Sequence, residues 1–466
     1  MTNTRKNSAQ EATLSDVFAE FVSGRPEFTE KAMYLAKRSI ADSMGAIVIG
    51  SKNHVTQNAM RLAAKAAGGA TIAGLGGGYL SRDAAFVNGI AGHELELDDT
   101  SSSNLGHPTI AVLAALLALG EERGCSGKQL LEAFLVGTEV ECKVGRICAR
   151  KLHERGWHAS SITGAVGAVA GCSYLLGQSF EKARDAIGIA ASMASGVREN
   201  FGTSTKSIHI GKANEDGVRA ALLAEAGFDS SREALDGKEG YLFEYSTKTL
   251  DELLDSSLAE FARTLGHDWD VCSPGFAIKR YPSCSSTHRA VDGLVSLIDE
   301  NGIAAPDIKA ITVGLSKPAM RELVSPYPNN GEEAKFSIGF QIALYLLGIA
   351  NMPENYREDV IFQPEVQRIV QATKMYNEEK YDGLPVDMGV GPALVSIELS
   401  DGRRFSKEQV YPVGHLTNPM PEDELRAKFD RCTVDILGRE KSELLYNKLM
   451  ALEQTETVAE LMQLTV

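Results

Sequence analysis

The stretch Gly127–Lys151, GKQLLEAFLVGTEVECKVGRICARK, followed after a short break by Ala159–Leu176, ASSITGAVGAVAGCSYLL, decides the fold class. Neither run contains proline, which removes a backbone donor and breaks helix interiors. Ser126 stands where an N-cap belongs. The second run is rich in Ala and Gly, small enough to let helix backbones approach closely. Both read as stacked helices. The same texture extends outward, because Pro26 and Pro108 are the only prolines in the first 268 residues whereas thirteen fall between Pro274 and Pro421. Further helices are expected over Leu14–Val22, Glu30–Ile49, Val55–Ala67, Asp83–Glu94, Ile110–Arg123, Phe180–Ala194 and Ala213–Ala226, the first capped at Ser15-Asp16.

The texture changes near Trp269. Asp307–Leu315 reads as a strand, and Leu394–Leu399 and Arg403–Val410 read as a hairpin closed by an Asp-Gly turn. Helices are expected between them at Ser286–Ile298, Ala334–Leu347 and Pro364–Thr373. After Pro419 the helical pattern returns over Glu424–Leu437 and Glu440–Leu452. The fold class is therefore mainly α with an α+β second domain: a large helical domain over residues 1–268, completed by 416–466, and a smaller α+β lid over 269–415.

The chain has 466 residues, too many for one compact core. Its net charge of −15 argues against nucleic acid as a partner, since phosphate neutralisation needs a basic surface. An acidic substrate would need a local basic pocket. No apolar run reaches the roughly eighteen residues a membrane helix requires, so no membrane partner is expected. Met1–Glu11 is polar and lacks the apolar core of a secretory signal. The seven cysteines show no C-x-x-C spacing, which fits reduced thiols and a cytoplasmic location, with the mitochondrial matrix as the alternative.

Several motifs fail. Gly74–Gly78 lacks the dinucleotide register and reads as a flexible turn. Gly211-Lys212-Ala213 lacks the upstream glycine and hydroxyl of a phosphate loop. His93-Glu94 begins like a zinc helix, but no second His follows at the needed spacing. No G-x-S-x-G elbow is present.

Four segments place ionisable residues beside Gly or Pro in otherwise apolar sequence. The first is HELELDDTSSSNLGHP, His93–Pro108. It ends a helix with acidic residues, which oppose the helix dipole, and local rules tend to be broken at sites. The second is RGWH, Arg155–His158, with His158 at a helix N-terminus whose positive end lowers an imidazole pKa. The third is NFGTSTKSIHIGKA, Asn200–Ala213, where Lys206, His209 and Lys212 recur at i, i+3, i+6 and would repel one another unless an anion sat among them. The fourth is IKRYPSCSSTH, Ile278–His288, with Lys279, Arg280, Cys284 and His288. Thiol catalysis by Cys284 is the weaker reading, since buried cysteines are usually inert. The set offers imidazoles, amines and carboxylates in no metal-ligand spacing. Such groups can take a proton from carbon beside a carboxylate and hold the developing charge.

In this order and spacing, ELDDT, GHP, GWH, FGTSTKSIHIGKA, KRYPSCSSTH, EEAKFSI (Glu332–Ile338) and NPMP (Asn418–Pro421) resemble the MmgE/PrpD family over nearly the whole chain. The resemblance implies a helical domain with an α+β lid, a homodimer, no cofactor and no metal. It implies His107, His158, Lys206 and Lys279 as catalytic residues, with Thr100 and Glu96 at substrate. Asp99, His209, Lys212 and Arg280 complete the candidate substrate-binding set. Dehydration of 2-methylcitrate or alkylcitrates, decarboxylation of cis-aconitate and epimerisation of iminodisuccinate are reactions of that family. Glu96 stands where decarboxylating members carry Asp, and the Thr100–His107 loop is one residue longer. GHP, FGTSTK, YPSC and EEAKFSI look closest to the epimerising branch. The expectation is a dehydratase-type lyase on a small citrate-like polycarboxylate, with epimerase or decarboxylase as alternatives and an inactive scaffold as the non-enzyme alternative.

Overall fold

The structure is a computed structural model describing residues 12–384 and 390–466. Met1–Glu11, the segment read above for a secretory signal, lies outside the described residues. Helices run over Leu14–Ser23, Glu30–Gly50, Ser81–Glu94, Pro108–Glu122, Gly127–Glu154, Ala159–Leu175, Phe180–Met193 and Thr205–Glu225. Many start where a hydroxyl accepts the N–H three residues on: Thr29 from Ala32, Ser126 from Gln129, Ser179 from Lys182. At the first helix the cap is Thr13, not Ser15-Asp16, and Asp16 closes the capping box from inside the first turn. The two helices quoted first pack on small residues. A Cβ on Gly167 would lie 2.8 Å from the Gly137 carbonyl oxygen, so only glycine allows this approach.

Two boundaries differ from expectation. The last of these helices begins at Thr205 rather than Ala213, taking Lys206 and His209 into its first turns. The segment expected as helix over Val55–Ala67 stops at Met60; Lys65–Ile72 (β1) then pairs antiparallel with Gly76–Tyr79 (β2). The glycine run read as a flexible turn is thus half strand. A Cβ on Gly69 would meet the Tyr79 carbonyl oxygen at 1.9 Å, a close pairing that side-chain periodicity cannot reveal.

One apolar core runs from Leu14 to Phe276 and takes in Phe429, Leu445, Leu449, Leu452, Val458, Leu461 and Met462 from the tail; a second spans Cys284 to Leu399. The tail helices Glu422–Leu437 and Arg439–Met450 thus belong to the first core. Lys428 of the tail ion-pairs with buried Asp42 and donates to the Leu97 carbonyl at 2.8 Å, so the tail supports the segment that leads into the site.

The second core covers one face of a four-stranded sheet in the order β4 (Thr373–Asn377), β3 (Ile308–Leu315), β5 (Ala393–Leu399), β6 (Arg404–Gln409). β3 pairs parallel with β4 and antiparallel with β5. Strand β4 was not expected; its TKMYN sequence is mostly polar and directly follows the helix Pro364–Ala372. The helix expected over Ala334–Leu347 is broken into Gly331–Ala334 and Ile338–Leu346, with Ser337 recapping the second. The break matters to the site, because the Cys284 N–H donates to the Lys335 carbonyl at 2.9 Å within it. No helix among the described residues is long and apolar enough to cross a membrane.

Candidate active site

Four helices of both modules point their N-termini at one cavity: Pro108–Glu122, with His107 as N-cap, Ala159–Leu175, with His158 as N-cap, Thr205–Glu225, carrying Lys206, and Ser285–Asn301, with Cys284 as N-cap. None of these N-cap side chains makes a capping hydrogen bond. Their amide ends favour negative charge in the space between them. Two of the non-glycine residues with left-handed backbone, Glu96 (φ 55°) and Leu105 (φ 49°), also line the cavity. Such conformations cost of order 1–3 kcal/mol and concentrate at functional sites.

The floor of the cavity is ionic. Lys206 pairs with Glu96 Oε1, and Lys279 pairs with Glu96 Oε2 at 2.9 Å. Burial alone would raise the Glu96 carboxyl, but the two ammonium groups outweigh it and hold it well below the usual carboxylate range. Burial works against the Lys279 ammonium too, and Glu96 reverses that, raising it. The anion that the clustered cations of the third segment demanded is Glu96.

Beside this floor stand four imidazoles. Oδ2 of buried Asp98 is 2.7 Å from His93 Nδ1 and 3.1 Å from His107 Nδ1. The two rings meet edge to face at 4.6 Å. Both Nδ1 atoms face Asp98: His93 is hydrogen-bonded to it, and His107 lies against the same oxygen. Asp98 is fully buried, yet His107 and His93 hold it far below the carboxylate range. His93 is pushed down to about 4, first by burial and then by Lys206. His158 is also held well below the ordinary imidazole value. Burial is the larger cause, followed by Lys206 and neighbouring imidazoles, so the shift expected from its helix end has a different main origin. Its Nδ1 lies 3.1 Å from His209 Nδ1, so one of these atoms carries the shared proton, and its ring meets Phe201 edge to face.

Six expected residues thus converge on or beside the cavity: His107, His158, Lys206, Lys279 and Glu96 line it, and His209 stands behind His158. Four others lie elsewhere. Lys212 pairs with Asp216 along its own helix; six residues carry a side chain about 240° around a helix, away from Lys206. Arg280 turns to Glu424 at 2.6 Å and Asp292 at 3.6 Å. Asp99 accepts the Thr109 backbone N–H at 3.2 Å, capping the His107 helix from outside, and burial brings its carboxyl up to about 7. Thr100 exchanges backbone hydrogen bonds with Ala277 at 3.0 and 2.7 Å and so ties the acidic segment to the one carrying Lys279. Cys284 lines the cavity, but burial pushes its thiol up to about 12, which suits packing rather than attack. His288 bonds the Ser283 carbonyl and lies off the cavity.

Sequence reasoning missed His93, Asp98, Lys335 and Glu322 as site groups. Lys335 donates to the Glu94 carbonyl at 2.6 Å and pairs with Glu332, fastening the second module over the first. Glu322 ends the helix Lys317–Glu322 and lines the cavity. His93, Asp98 and His107 bring their ligand atoms within 4.8 Å of one another, a donor set a divalent ion accepts, although sequence spacing showed no metal site. The short His93–Asp98 distance also describes a hydrogen bond. A larger groove, lined by Asp229, Glu233, Glu239 and Glu244 against Lys238, has the wrong charge for an acidic ligand.

Residues 17–252 match the model of the MmgE/PrpD N-terminal domain, and residues 281–452 that of the MmgE/PrpD C-terminal domain. Among curated proteins, the chain is 30% identical over 465 residues to a cis-aconitate decarboxylase of Homo sapiens, covering 95% of this chain and 92% of that protein. It is 29% identical over 397 residues to one of Mus musculus, covering 82% and 78%. To one of Aspergillus terreus it is 24% identical over 453 residues, covering 93% and 91%.

Proposed function

The chain belongs to the MmgE/PrpD family, and from that premise we propose that it is a lyase acting on a citrate-like polycarboxylic acid, with loss of water as its reaction. The observation that carries this is the single Glu96 carboxylate shared by two buried ammonium groups beside a neutral His158. One carboxylate between Lys206 and Lys279 leaves them under-neutralised, and the four helix N-termini add to the demand for anions. Substrate carboxylates supply them.

The chemistry follows from the imidazoles. His158, uncharged and with Nδ1 turned to His209, has Nε2 for a proton from the carbon next to a bound carboxylate. As that proton leaves, its bonding pair becomes the carbon–carbon double bond and the carbon–oxygen bond breaks. The departing hydroxide takes a proton from His107, which Asp98 orients. The products are an unsaturated acid and water. Lys206 and Lys279 stabilise the charge that builds on the carboxylate in the transition state.

A second reading, loss of carbon dioxide, is favoured by the names of the curated relatives, and it uses the same cations and proton donors. Incubation with 2-methylcitrate, citrate and cis-aconitate, followed by enoate absorbance and by carbon dioxide release, separates the two. Absorbance rising with a hydroxy acid is the expected result. Carbon dioxide from cis-aconitate would move the assignment to the second reading, and neither signal from any of these acids would sink the lyase.

A further inference from the structure

The cavity is not uniformly cationic. Glu322 enters it from the second module, at the end of the helix Lys317–Glu322. Its Oε2 accepts the Ser286 hydroxyl and has the Cys284 thiol 3.8 Å away. Its Oε1 accepts no hydrogen bond from any described residue, and no Lys or Arg nitrogen among them ion-pairs with it. The guanidinium groups of Arg198 and Arg289 act on it only at longer range, and burial still keeps the carboxyl above its ordinary range. Glu322 is only partly buried, and Oε1 is left open on the cavity side. That oxygen is an acceptor which a ligand in the cavity can reach.

A third substrate carboxylate fits it poorly, since two ionised carboxylates in contact repel. A hydrogen-bond donor fits it. We propose that Glu322 is a specificity residue whose Oε1 accepts a hydrogen bond from a donor substituent of the substrate, a hydroxyl or an ammonium group, while Lys206 and Lys279 hold its carboxylates. This inference rests on the reading of the cavity as a polycarboxylate site and narrows it: the acid carries a donor besides its carboxylates. A site built to bond a donor rejects the analogue that lacks it, because its own polar group is then left unpaired. Ser286 fixes the carboxyl plane from the first turn of the Ser285–Asn301 helix, so the acceptor is set before the ligand arrives.

The test is calorimetric binding of two matched pairs to the full chain and to Glu322→Ala. Citrate and tricarballylate differ by one hydroxyl. Iminodiacetate and glutarate differ by an ammonium group in place of a methylene. Wild type is expected to favour the donor-bearing member of at least one pair by about 10-fold or more, and the pair that shows it says which donor is read. Glu322→Ala is expected to erase that preference and leave tricarballylate or glutarate within about two-fold of wild type. If Glu322→Ala does not fold, Glu322→Gln serves instead: it keeps the size, loses the charge, and is expected to lower the iminodiacetate preference more than the citrate preference. Equal binding within both pairs by wild type, or a preference that survives at Glu322→Ala, overturns the proposal while leaving the polycarboxylate reading intact. Failure of all four acids to bind overturns both.

Discussion

Two buried ionic clusters of similar composition sit in this molecule, and they do opposite things. In the cavity, Glu96 joins Lys206 and Lys279. On the far side of the His107 loop, Asp270 joins Lys143 at 2.8 Å and Arg146 at 2.8 Å, and it also accepts the Ser103 hydroxyl. Glu139 completes that second cluster by accepting the Asp270 backbone N–H at 2.8 Å, and Asn104 bonds Glu141 at 2.7 Å beside it. Every ion in the second cluster has its partners in the protein, and none lines the cavity. It anchors Ser103 and Asn104, hence the loop that delivers His107. In the first cluster the cations outnumber the carboxylate and face a cavity. A buried ion pair by itself is weak evidence of function; the difference here is whether the charges are all used within the fold.

That contrast can be broken from either side. The largest effect is expected at His158→Ala and Lys206→Ala, which should lower kcat/KM on the turned-over acid by about 100- to 10,000-fold with little change in Tm. Lys143→Ala should do the reverse: stranding Asp270 and Glu139 is expected to cost about 3–5 kcal/mol in denaturant unfolding, with turnover per folded molecule largely kept. A large activity loss without destabilisation at Lys143 would erase the distinction between the clusters. Asp98→Asn comes next. It removes the negative charge that faces both imidazoles, and a fall in kcat of about 100-fold with near-normal KM is expected.

The imidazoles predict a pH effect with a definite sign. His93 and His209 are held at about 4, chiefly by burial, against about 6.5 in an unfolded chain. Between those values the unfolded chain binds protons that the folded one does not, so stability falls as pH drops from about 6.5 toward 4 and this contribution levels off below. His93→Phe should flatten that part of the Tm-against-pH curve; a curve identical to wild type would contradict the assignment. The smallest effects on activity are expected at Lys212→Ala and Arg280→Ala, whose pairs with Asp216 and Glu424 lie off the cavity. Activity there should stay within about two- to three-fold, and a collapse would return either residue to the site.

Much of this was legible in the chain. The proline-poor helical run, the strand Ile308–Leu315, the Asp-Gly hairpin and the return of the tail to the helical core all follow from local patterns. The segments carrying His107, His158, Lys206, Lys279 and Glu96 stood out because glycine or proline flanked them, and the family resemblance picked these residues out within them. What stayed hidden depends on contacts between distant segments. Asp98 reads as one more acid at a helix end until two imidazoles close on it. Glu322 ends an ordinary short helix, and only the docking of the second module on the first brings it to the cavity. Lys212 shows the converse: its spacing suggested a shared face, but a helix turns it away and a neighbour on its own helix takes its charge.

The most direct test of the central claim, that the Lys206–Glu96–Lys279 cluster is an acid-binding site and not a structural one, is the affinity of the full chain and of Lys206→Ala for citrate, measured by titration with Tm recorded on the same samples. Binding at least about 10-fold weaker in the variant at an unchanged Tm is expected. Equal affinity together with a lowered Tm would show that this cluster, like the one around Asp270, only holds the fold together.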